Sequence, residues 1–101
     1  MRDEPLHLTE VNYAGVQYIV VRQDGADRWA EVARELPALP LEFHPATRVL
    51  ADVAAGFKAR HKLSLADAFA AALAKERKAE LVTGDPEFKP LEKEIKIVWL
   101  R

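Results

Sequence analysis

Two aspartates carry the chemistry this sequence offers most directly. Asp67 lies in Leu63-Ser64-Leu65-Ala66-Asp67, in the first turn of a predicted helix. Asp85 follows the predicted strand Leu81-Val82-Thr83, inside the turn Gly84-Asp85-Pro86. In an open α/β sheet, ligands collect beyond the carboxyl ends of the strands. A carboxylate on the first turn of an adjacent helix can point into the same crevice. Two or more carboxylates converging there bind Mg²⁺ or Mn²⁺ through oxygen. Such an ion lowers the pKa of a bound water and clamps a phosphate oxygen. Each residue also has a purely structural reading. Ser64 with Asp67 three positions on fits a capping box, and an acid there suits the helix dipole. Gly84-Asp85-Pro86 is good turn chemistry.

Other chemistry-bearing residues fall into less specific patterns. Lys58-Ala59-Arg60-His61-Lys62 is a basic run just before the Asp67 helix. Lys58, Arg60 and Lys62 could touch an RNA backbone, or simply solvate a helix end where cations oppose the dipole. Lys75, Arg77 and Lys78 suit the end of their own helix. His7, His44 and His61 show no metal-ligand spacing and read as surface or cap residues. Trp29 and Trp99 read as core or interface anchors. No Gly-rich phosphate loop, nucleophile elbow or Ser-His-Asp set is present.

The elements that would position these groups follow from periodicity and punctuation. Residues 1–8 read as a flexible lead-in. Thr9 caps a helix from Glu10 to about Gln23, with Val11, Ala14, Tyr18 and Val21 at helical spacing and Asp24-Gly25 as its stop. A second helix spans about Ala26 to Leu36, ended by Pro37 and Pro40. Leu41-Glu42-Phe43 is a short strand closed by His44-Pro45. A third helix runs from about Ala46 to His61. Ser64 opens the clearest one, which ends near Lys78 and whose small residues permit close packing on both sides. Leu81–Thr83 is a short buried strand, a helical turn holds Phe88 and Leu91, and Ile95–Leu100 is the last strand, apolar on both faces. Helices between strands argue for a parallel α/β sheet covered on both sides.

Composition bounds the reading. The 101 residues are half apolar and 31% charged, which suits one globular domain over residues 1–101. The absence of cysteine excludes disulfides, thiolate zinc sites and a cysteine nucleophile. It agrees with a cytoplasmic setting. The acidic N-terminus lacks the apolar core of a signal peptide, and Tyr13–Val21 is too short to span a bilayer. A formal charge of −1 does not predict strong nonspecific nucleic-acid binding. All seven lysines lie after residue 50, so a polyanion would meet the C-terminal half.

The stretch Leu63–Ala74, followed by Leu81-Val82-Thr83-Gly84-Asp85-Pro86-Glu87-Phe88 and Ile95–Trp99, resembles the C-terminal half of PIN-domain proteins, most of all the VapC-type toxins of toxin–antitoxin modules. Leu8–Tyr18 resembles the family's central helix. The resemblance implies a three-layer α/β/α fold around a short parallel sheet. It also implies an acidic cluster that binds Mg²⁺ or Mn²⁺ and cleaves RNA by water attack. Asp67 and Asp85 match two of the family's acids, and Thr83 matches a hydroxyl position near the metal.

Two positions depart from that pattern. No strand ending in Asp-Ser or Asp-Thr precedes Leu8, and Asp3 does not match one. Gly15 stands where the family has Glu, and Glu10, five residues earlier, lies about 140° off that helix face. The resemblance therefore implies an N-terminally truncated domain without its first, central strand. Its incomplete acidic site would bind metal weakly and cleave weakly or not at all. The strands left with open edges would be covered by a second copy, by edge pairing or element exchange. Two alternatives stand beside this reading. One is a non-catalytic remnant that dimerises or binds an antitoxin peptide. The other is a fragment of an active ribonuclease whose start was misassigned.

Overall fold

A computed structural model describes residues 6–100. The described residues form two compact units, one ending at Pro45 and the other beginning at Ala46.

The N-terminal unit comprises β1 (Leu6–Thr9), α1 (Glu10–Asp24), α2 (Ala26–Glu35), a 3-10 turn (Leu36–Ala38) and β2 (Leu41–His44). β1 corrects the expectation of a lead-in through residue 8; the first five residues of that lead-in lie outside the described residues. Four residues with alternating side chains become a strand because β2 is there to pair with. The two run parallel, Leu6 against Leu41 through Thr9 against His44. The Leu6 amide extends the ladder by donating to the Pro40 carbonyl at 2.7 Å.

Thr9 then ends the strand and caps α1, its hydroxyl oxygen accepting from the Asn12 amide at 3.0 Å. Gly25 separates the helices. At φ 92° it occupies a conformation that L side chains rarely adopt. From there its amide closes α1 on Val21 and its carbonyl opens α2 on Trp29. Tyr13 meets Trp29 and Phe43 edge-on, with ring centroids 5.6 and 5.7 Å apart, and so joins α1 to α2 and β2. Neither helix holds a fully buried residue. The apolar residues of α1 are spread round its circumference, so Val16, Tyr18, Ile19 and Val21 face solvent.

The C-terminal unit comprises α3 (Arg48–Arg60), α4 (Leu65–Arg77), β3 (Glu80–Thr83), a 3-10 turn (Pro86–Leu91) and β4 (Lys96–Trp99). Here most of the core gathers, although Val49 and Leu65, whose helical spacing also predicts burial, are exposed. Leu50, Ala54 and Phe57 of α3 are buried, as are Ala68, Phe69, Ala71, Ala72, Leu73 and Ala74 of α4. The alanines carry too little side chain to hold two helix axes apart, and Leu63, Phe88, Leu91 and Ile95 fill the rest. α4 stops at Lys78, whose left-handed backbone (φ 52°) returns its amide to the Ala74 and Lys75 carbonyls.

β3 and β4 are parallel, Glu80 against Lys96 through Thr83 against Trp99. The molecule is thus of mixed α/β class with short parallel strands, as expected. Its strands nevertheless form two separate pairs, and no strand among the described residues joins them. The expected burial of β4 on both faces also fails. Val82 and its register partner Val98 are exposed, as is Leu100, because a two-stranded pair is covered here on one side.

Candidate metal centre

The N-terminus of α4 and the end of β3 bring three carboxylates together. Ser64 caps α4 with its hydroxyl, accepting from the Asp67 amide at 3.0 Å, as the capping-box reading required. That bond fixes Asp67 at the third helical position, where it is part-buried. The preceding loop is braced by Lys58, which donates to the Leu63 carbonyl at 2.9 Å.

On the other side the strand ends in a pair of local turns. The Asp85 amide donates to the Thr83 hydroxyl at 3.0 Å, and the Asp85 carboxylate accepts from the Glu87 amide at 2.9 Å. Pro86 is well placed in this second turn because the first position of a helical turn needs no amide donor. Asp67, Asp85 and Glu87 can each offer one oxygen, and these oxygens lie within 4.8 Å of one another.

Three oxygen donors with up to three negative charges suit a hard divalent cation of the Mg²⁺ or Mn²⁺ kind. The structure therefore joins Asp67 and Asp85, which the sequence had singled out separately, and adds Glu87. Its signal was available: an acid two residues after Asp85, past a proline that forces a turn. Thr83 stands behind the cluster and orients the Asp85 backbone through its hydroxyl.

The basic run is arranged differently from an open cationic strip. Lys58 is committed to the loop, as described. Arg60 donates to the Gly56 carbonyl at 3.2 Å and to Glu94 at 2.9 Å. His61 lies 3.1 Å from the other Glu94 oxygen. The Arg60 hydrogen bond is the chief cause holding the Glu94 carboxyl below the usual range; partial burial pushes the other way, and His61 adds to the lowering. Lys62 is exposed.

The sequence profile of the PIN domain family matches residues 1–94. No curated protein and no solved structure matches the chain.

Proposed function

The chain belongs to the PIN domain family, and on that premise we propose that it is a VapC-type, metal-dependent ribonuclease relative whose cleavage in this form is weak or absent. The observation that carries the reading is the meeting of Asp67 and Asp85 from two separate elements, with Glu87 beside them. Asp67 and Asp85 would hold Mg²⁺ or Mn²⁺, with Glu87 as a third donor. When bound, the cation supplies positive charge against an RNA phosphate and acidity to its water. Thr83 keeps Asp85 in place, and Ser64 keeps Asp67 in place. Lys58, Arg60 and Lys62 are the proposed RNA-backbone contacts, with exposed Lys62 the most available of the three. Weak activity follows from Gly15, which brings no carboxylate where the family's helix carries one.

The proposed setting is the cytoplasm; among the described residues no helix is long and apolar enough to cross a membrane. The proposed partner is a second copy of the chain, covering exposed strand faces such as Val82 and Val98. A second reading, a non-catalytic module that binds an antitoxin peptide, is favoured by α1, whose Val16, Tyr18 and Ile19 face solvent.

The test uses the purified, untagged chain with Mn²⁺ or Mg²⁺ and a structured RNA. Weak Mn²⁺ binding, lost in Asp67→Asn and Asp85→Asn, with cleavage slight or undetectable, is expected. No Mn²⁺ binding would overturn the metal assignment. Robust cleavage abolished by Asp85→Asn would overturn the weak-activity part alone. A monomer in size-exclusion at micromolar concentration, with a cooperative melt, would remove the second copy.

A further inference from the structure

The β1–β2 pair is built inside out. Its apolar face carries Leu6, Leu8, Leu41 and Phe43, yet Leu6 is 59% and Phe43 41% exposed. Its other face carries His7, Thr9, Glu42 and His44, yet Thr9 is 0% and His44 7% exposed. Thr9 is explained by its cap on α1. The two imidazoles are not explained by that cap; burying His44 is costly unless it is engaged, while His7 is half-buried and Glu42 is exposed.

Their engagement is mutual. His7 and Glu42 are register partners, and His44 is two residues beyond Glu42, so parallel pairing puts all three on one face. His7 Nδ1 lies 2.9 Å from His44 Nε2 and 3.4 Å from Glu42 Oε2. One ligand atom from each residue lies within 4.8 Å of the other two. Around a tetrahedral ion with bonds of about 2.05 Å, neighbouring donors stand about 3.3 Å apart. Two of the three spacings are already close to that edge.

We infer that His7, Glu42 and His44 bind a transition-metal dication, with Zn²⁺ the best match. The donor set is borderline nitrogen with one carboxylate oxygen, unlike the all-oxygen set of Asp67, Asp85 and Glu87. Two histidines and one glutamate leave one position of a tetrahedral site open, the ligand count of a reactive rather than a closed structural zinc. Binding also clips β1 to β2, whose ligands are far apart in sequence, so it stabilises the folded chain by mass action. The spacing of the histidines in sequence hid this site, because the ligands come together only through strand register.

The test uses the full, untagged chain, stripped with chelator and titrated with ZnCl₂ by calorimetry and with CoCl₂ by visible absorption. Expected are one additional Zn²⁺ per chain and an absorption band typical of low-coordinate Co²⁺. The melting temperature should rise by roughly 10 °C once free Zn²⁺ is about 100-fold above the dissociation constant. His7→Gln should abolish the site and Glu42→Gln weaken it about tenfold or more. Both variants should keep the wild-type circular dichroism, which guards against buried His44 simply failing to fold when replaced. His61→Gln and Asp85→Asn should leave this site unchanged. No Zn²⁺ binding, binding indifferent to His7→Gln or Glu42→Gln, or binding lost with Asp85→Asn or His61→Gln would overturn the inference.

Discussion

Replacing Gly15 by Ala in the middle of α1 should stabilise the protein without making it a better nuclease. A Cβ built at Gly15 meets nothing within 4 Å outside the helix's own neighbouring backbone, so neither a clash nor a packing gain enters. What is left is helix propensity, about 0.8–1.0 kcal/mol in favour of Ala, from the backbone entropy that Gly loses on folding. Unfolding entropy is about 2.1 cal/mol/K per residue. One kcal/mol therefore raises the melting temperature by about 5 °C if the whole chain melts together, and by about 10 °C if the N-terminal unit melts alone. Far-UV circular dichroism melts of wild type and variant measure this directly, and urea midpoints should shift with them at unchanged slope. Gly15→Glu should be stabilising by less, because Glu has a lower helix propensity than Ala. A variant that melts at or below wild type would refute the reasoning. It would mean that a side chain at position 15 meets something, and a dilution series would show whether that is a second chain.

Three further outcomes test the frame that holds the acidic cluster. Phe57 is fully buried beneath the charged ends of Arg60 and Lys75, 5.3 and 5.6 Å from its ring, so Phe57→Ala should cost about 3–5 kcal/mol in urea unfolding. Ser64→Ala removes the acceptor for the Asp67 amide and should cost about 1 kcal/mol, while Ser64→Asp should retain most of the stability; thermal melts in chelator compare them. Glu94 has a folded-state pKa below its ordinary 4.5, so its contribution is complete above that pH and lost as pH falls through the folded value. Acid titration followed by circular dichroism should therefore show a flatter decline for Glu94→Gln than for wild type below about pH 4.5.

The C-terminal unit was legible almost to the residue. The Ser64 cap, the alanine-rich face and the stop near Lys78 are local signals, and α4 runs Leu65–Arg77 accordingly. β3 and β4 lie within a residue or two of the apolar runs that announce them. β1 was missed because Leu-His-Leu-Thr after a proline carries no strong local preference; only β2, more than thirty residues on, makes it a strand. The same non-locality hid the histidine pair. Asp67 and Asp85 were visible because each sits at an element end, but their meeting depends on the α4–β3 connection. Lys58 and Arg60 read as free cations by type alone, whereas Lys58 braces the α3–α4 loop and Arg60 is held by Gly56 and Glu94.

The two strand pairs also differ in how hard they are to close. β1 and β2 join partners 35 positions apart, whereas β3 and β4 join partners 16 apart. Loop-closure entropy alone favours the second by about 0.7 kcal/mol, roughly threefold in population. The 3-10 turn spanned by the shorter closure also buries Phe88 and Leu91, whereas the helices spanned by the longer one hold no fully buried residue. Synthesis, however, delivers the N-terminal pair first. A nascent chain thus carries its harder, less supported pairing ahead of its easier one, with Leu6 and Leu8 of β1 waiting on β2.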